Sequence, residues 1–120
     1  MIGDLYVYKA RVVRVIDGDT FEADVDLGFR VSLRIGCRLD GIDAPEVRGE
    51  TRAPGMASKE WLKERVEARI VTIWSSKWET YGRALVWVWE EEIKARTFDA
   101  TLNREMIRLE LAKEYDGGRR

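Results

Sequence analysis

Arg38-Leu39-Asp40-Gly41-Ile42-Asp43-Ala44-Pro45-Glu46 places four ionisable groups in nine residues and interrupts them with a glycine and a proline. Such a segment makes a poor strand and a poor helix. Leu39 and Ile42 can anchor it in a core while Arg38, Asp43 and Glu46 converge where a strand gives way to a loop. Two other stretches carry similar groups, Asp17-Gly18-Asp19-Thr20 and Tyr81-Gly82-Arg83. The chain has no histidine, and its one cysteine is Cys37. An internal disulfide, a zinc-binding imidazole and Ser-His or Cys-His triads are therefore excluded. Any metal has to be a hard cation held by oxygens, namely calcium, magnesium or manganese. Proton transfer falls to carboxylates, lysine, tyrosine or water.

At 120 residues the chain suits one domain, 1–120, with a core spanning about 5–115. Apolar residues make up 45% and charged residues 36%, the balance of a soluble globular protein. No apolar run approaches the length of a spanning helix. Met1-Ile2-Gly3-Asp4-Leu5 lacks the features of a secretory signal, so a cytoplasmic monomer with no membrane partner is expected. The net charge of −1 argues against binding nucleic acid through bulk charge, although a local arginine cluster can still hold phosphate.

The elements that must position these groups follow from periodicity. Val7, Val12, Val13, Val15 and Ile16 read as a long strand ending at Asp17-Gly18-Asp19. Phe21, Ala23, Val25 and Leu27 then alternate with Glu22, Asp24 and Asp26. After Gly28, Val31, Leu33, Ile35 and Cys37 alternate with Arg30, Ser32 and Arg34. A loop at Leu27-Gly28-Phe29 would set Asp26 against Arg30, Glu22 against Arg34, Val25 against Val31 and Phe21 against Ile35. Alternation in that register leaves Asp19 and Arg38 on opposite faces, which a β-bulge near Gly36 would correct.

Val47 to Gly55, broken by Pro54, reads as an exposed loop, followed by an amphipathic helix from about Met56 to Ala68 with Ala57, Trp61, Leu62 and Val66 inward. Ile70 to Trp74 and Ala84 to Trp89 form a hairpin across a polar turn, and Glu90 to Asp99 suits an extended tip. Thr101 can cap a second helix, Leu102 to Lys113, with Leu102, Met106, Leu109 and Leu111 inward. The tail Asp116-Gly117-Gly118-Arg119-Arg120 is expected to be loose. Trp61, Trp74, Trp87 and Trp89 suit a core, Trp78 its own loop, and Cys37 a buried small hydrophobe. Five strands with a helix between the third and fourth make an α+β, mainly β fold. Their order matches the oligonucleotide/oligosaccharide-binding barrel, here with two helices.

Ile16-Asp17-Gly18-Asp19-Thr20, then Arg38 with Asp43-Ala44-Pro45-Glu46, then Tyr81-Gly82-Arg83 resemble the motifs of the staphylococcal nuclease (thermonuclease) family, in the same order and from about Ala10 to Lys113. The resemblance implies that Asp19, Asp43 and the carbonyl of Ala44 hold calcium, with magnesium or manganese as substitutes. It implies that Glu46 is the general base, that Arg38 and Arg83 clamp the scissile phosphate, and that Tyr81 contacts a neighbouring one. The implied reaction is hydrolysis of DNA and RNA phosphodiesters, single-stranded or flexible, to leave 3′-phosphate ends.

The residue types suit that chemistry. Attack on an anionic ester requires its charge to be neutralised, which one cation and two guanidinium groups accomplish. Thr80 stands where the family's best-known member has a phosphate-binding lysine, which should weaken substrate binding, and Asp40 adds an acid beside the site. The alternative is a catalytically inactive module of the same fold that binds nucleic acid or protein. Such modules typically lose the acids and arginines that this chain keeps. Taken singly, Asp17-Gly18-Asp19 reads as a turn and the arginines as surface charges.

Overall fold

The β-branched run near the start of the chain forms a strand long enough to pair on both of its edges, and the barrel closes around it. The structure, a computed structural model, describes residues 5–90 and 97–115. In chain order the elements are β1 (Val7–Asp17), β2 (Thr20–Asp26), β3 (Ser32–Leu39), β4 (Ile42–Asp43), α1 (Arg52–Val66), β5 (Ile70–Trp78), β6 (Ala84–Glu90), α2 (Leu102–Arg108) and β7 (Lys113–Glu114). Single 3-10 turns at Gly49–Thr51 and Phe98–Ala100 lead into the helices. Five strands close in the order β1-β2-β3-β6-β5, while β4 and β7 form a separate pair. Val12, Phe21, Ala23, Cys37, Leu39, Ile73, Val86 and Val88 fill the interior, joined by Leu62 and Val66 of α1 and Met106 of α2. The expected five-stranded barrel with two helices is the architecture observed. Among the described residues no helix is long and apolar enough to cross a membrane.

The β2–β3 register differs from the expected one. The loop continues through Gly28, Phe29 and Arg30, with φ of 80°, 53° and 61°. It is closed by Leu27 N–H donating to Val31 O and Val31 N–H donating to Gly28 O, both at 2.9 Å. Asp24 therefore faces Arg34, Val25 faces Leu33, Ala23 faces Ile35, and Phe21 faces Cys37. Each partner has moved by two residues, so every side chain keeps its face and the apolar alternation is indifferent to the change. Arg34 donates to Asp24 at 2.8 and 3.0 Å, and this pairing holds the Asp24 carboxyl below its usual range. Asp26 instead accepts from Gly28 N–H at 2.8 Å, and Glu22 reaches Arg14 of β1 at 3.6 Å.

The expected bulge near Gly36 is not there. Pairing of β2 with β3 runs unbroken from Thr20 opposite Arg38 to Asp26 opposite Ser32. The irregularities lie in β1, at Val12/Arg14 and Val15/Asp17, and in β5, at Ser75/Lys77.

The helix α1 starts earlier than expected because Pro54 falls in its first turn, where an N–H would find no partner in any case. Its buried positions are Gly55, Ser58, Leu62 and Val66, and Ala57 is exposed. The strand β5 extends to Trp78, through what read as a polar turn. The helix α2 has the expected Thr101 cap, whose Oγ1 accepts from Arg104 N–H at 3.1 Å. It stops at Arg108, and Glu110 takes φ 58°, leaving Leu109 exposed.

Of the tryptophans only Trp89 is fully buried. Trp74 and Trp87 are half-buried and pack edge-on around Phe98, with centroids 5.8 and 4.7 Å away. Trp61 is half-buried beneath Arg65, and Trp78 is exposed. Most of the expected hairpin tip at Glu90 to Asp99 and the tail from Asp116 lie outside the described residues.

Candidate active site

Three chain segments meet at one edge of the barrel. The β1–β2 turn brings Asp17 and Asp19, the end of β3 brings Arg38, and the segment through β4 brings Asp43, Ala44 and Glu46. With Thr51 they line an open pocket of about 380 Å³. Arg38 and Asp19 are almost fully buried, at 6% and 4% exposure. Arg38 Nη2 lies 3.1 Å from Asp19 Oδ2 and 3.0 Å from Asp43 Oδ1. Asp19 Oδ2 also accepts from Ala44 N–H at 2.9 Å, Oδ1 accepts from Thr20 Oγ1 at 3.0 Å, and its backbone carbonyl accepts from Leu39 N–H at 2.8 Å. Asp19 meets Arg38 without a bulge because it sits in a turn beyond the last rung of β2, free of strand alternation.

Arg38 Nη2 meets both Asp19 and Asp43, and Arg38 Nε is buried without an acceptor among the described residues. An orphaned buried donor is costly, and an oxyanion entering the pocket is a partner it lacks. Asp19 and Asp43 each bring an oxygen to the same nitrogen, so the two oxygens lie near each other. Their donor set is all oxygen, which fits a hard cation. Among the described residues no group of three acidic side chains converges on one point, so further ligands would come from backbone carbonyls and water.

Small residues that periodicity overlooked set this geometry. A Cβ at Gly55 would lie 2.2 Å from the carbonyl oxygen of Glu46 and 2.9 Å from that of Pro45, so α1 rests directly on the backbone that carries Glu46. A Cβ at Gly18 would lie 2.6 Å from Ser58 Cβ and 3.0 Å from Ala44 Cβ. Ser58 Oγ donates to Leu111 O at 2.6 Å and is 3.1 Å from Pro54 O. Asn103, fully buried, ties α2 to the strands: Oδ1 accepts from Val88 N–H at 3.0 Å, and Nδ2 donates to Asp40 O and Val86 O at 2.9 and 3.0 Å. The segment after α2 returns as β7, which sets Lys113 opposite Asp43 and Glu114 opposite Ile42. Only the glycine pattern hinted at these contacts, and a glycine in a helix reads first as a weakness.

The remaining expected site residues stand apart from the pocket lining. Arg83 follows the β5–β6 turn, and Tyr81 at that turn is 89% exposed. In the parallel β3–β6 pair Arg38 is opposite Leu85, with Cys37 opposite Ala84. Because Cys37 and Ala84 face the core, Arg38 and Arg83 share the outward face. Asp40 is turned away, its Oδ2 accepting from Ser76 Oγ at 2.7 Å and Trp87 Nε1 at 3.2 Å, so it is a structural acid. Burial pushes the Cys37 thiol up to about 12, which leaves it inert.

Comparison with known proteins bears on the family of the chain. The family described as staphylococcal nuclease homologue matches residues 36–119. An uncharacterized endonuclease of Escherichia coli O157:H7 is 34% identical over 106 residues, covering 88% of this chain and 60% of its own length. A thermonuclease of Staphylococcus hyicus is 34% identical over 109 residues, covering 87% of this chain and 54% of its own length. The chain thus spans about 60% or less of the curated relatives it matches.

Proposed function

The chain belongs to the staphylococcal nuclease family, and on that premise we propose that it is a divalent-metal-dependent nuclease. Its substrates are single-stranded or flexible DNA and RNA, cut to leave 3′-phosphate ends. The observation that carries this reading is the convergence of Asp19, Arg38, Asp43 and Glu46 on one open pocket. Asp19, Asp43 and the carbonyl of Ala44 would hold the cation, calcium first, with magnesium or manganese as substitutes. When bound, the cation supplies positive charge that offsets the anionic phosphate.

The chain's own residues do the rest. Arg38 and Arg83 donate hydrogen bonds to the phosphate oxygens as charge builds on them, and Tyr81 contacts a neighbouring phosphate. Glu46 takes a proton from the attacking water as its oxygen bonds to phosphorus and the bond from phosphorus to the 5′ oxygen breaks. The leaving 5′ oxygen takes its proton from solvent, and the phosphate stays on the 3′ oxygen. The test is cleavage of labelled single-stranded DNA and RNA in a series of calcium, magnesium and manganese. Cleavage is expected with at least one cation and is abolished by a chelator. Glu46→Gln is expected to lower turnover by roughly 10²–10⁴-fold. Absence of cleavage by the wild type with all three cations would overturn the proposal.

A further inference from the structure

Arg83 is held from one side by a residue that the proposed chemistry does not use. Its Nε lies 2.9 Å from Glu79 Oε1 as an ion pair, and its Nη2 donates a hydrogen bond to Glu79 Oε2 at 3.2 Å. The Glu79 side chain is only 15% exposed and that of Arg83 37%, so the pair sits partly out of water, where its geometry is firmer than that of a surface ion pair. The backbone of the same turn is closed by the same two residues, Glu79 N–H donating to Arg83 O at 2.8 Å. Beneath the pair lies Gly36. A Cβ there would be 3.3 Å from Arg83 Cγ, so the glycine leaves the arginine stem room to lie across β3. Glu79 is met by the Nε and Nη2 side of the guanidinium.

We propose that Glu79 is a positioning residue for Arg83: it fixes the guanidinium in place for a phosphate of the nucleic-acid substrate. The inference rests on the phosphate-binding role given to Arg83 above. An arginine side chain has many rotamers, and a carboxylate that holds one edge removes most of that freedom before substrate arrives. The benefit falls on the transition state, which requires donors already in place.

A double-mutant cycle tests this, with kcat and KM measured for wild type, Glu79→Ala, Arg83→Ala and the double variant, at a temperature where circular dichroism finds all four folded. Glu79→Ala is expected to lower kcat roughly ten- to hundredfold, the scale of a misplaced group, with KM little changed. In the Arg83→Ala background the same change is expected to alter kcat by less than about twofold, because nothing remains for Glu79 to position. Glu79→Gln, which keeps a side-chain oxygen to accept from Arg83 Nη2 but loses the charge, is expected to fall between wild type and Glu79→Ala. Equal losses in both backgrounds overturn the role of Glu79 while leaving the nuclease reading intact. A wild type without activity overturns both, and the first curve shows it.

Discussion

Replacing Gly55 by alanine sets two opposed effects against each other. In an ordinary helix interior the change stabilises by roughly 0.5–1 kcal/mol, because alanine has less backbone freedom to lose. Here the new Cβ would lie 2.2 Å from the Glu46 carbonyl oxygen and 2.6 Å from its carbonyl carbon, and both are backbone atoms that cannot swing aside. Overpacking of this kind costs about 1–3 kcal/mol. The net expectation is a loss of roughly 1–2 kcal/mol, or about 4–8 °C in the melting temperature. Relief of the clash has to push the helix and the Pro45–Glu46 backbone apart by something on the order of 1 Å, which is enough to cost about 100-fold in rate if Glu46 is the base. Calorimetry and the nuclease assay read the two effects separately. Ala57, exposed on the same helix, provides a control site, where Ala57→Ser should change neither quantity much. A Gly55→Ala protein that melted higher than wild type and cut at the wild-type rate would refute the reasoning.

Two further outcomes follow from burial. With its thiol held near 12 against 9.0 for an ordinary one, Cys37 stays protonated in the fold after it would ionise in the unfolded chain. The unfolded state then binds fewer protons, so stability falls as pH rises above 9, by about 1.4 kcal/mol per unit until the folded value is reached. Urea titrations between pH 8 and 11 should detect this slope, and Cys37→Val should flatten it. Asn103→Ala leaves the buried Val88 N–H without its acceptor and the Asp40 and Val86 carbonyls without that donor, which should cost about 1–3 kcal/mol in the same titration.

Alternation and motif spacing were enough to read the barrel, because apolar and polar side chains alternate along β2 and along β3 as far as Ile35. Burial follows that alternation in β2, whereas in β3 it is confined to Cys37, Arg38 and Leu39. The register was not legible from them. A slip of two residues leaves every side chain on the same face, and the decision fell to three positive-φ residues in the loop, Gly28, Phe29 and Arg30. Asp19, Arg38, Asp43 and Glu46 could be picked out by type, and the fold brings them to one pocket. Their supports could not be, since Gly55 and Ser58 carry no hydrophobic signal and β4 and β7 are two residues each. Gly36 was rightly singled out for the wrong reason. Its lack of a side chain accommodates the stem of Arg83 instead of bending the strand.

The pairing of Asp43 with Lys113 bears on when the pocket can exist during synthesis. The chain is made from its amino end, and β4 has to wait for β7, which lies beyond both helices and the second hairpin. The barrel cannot close earlier either, since β5 is needed to meet β1 and β6 to meet β3. Such long-range pairings form late and together. A nascent chain still lacking α2 and β7 therefore presents its acids and arginines unassembled, and the pocket is complete only once β7 has been made.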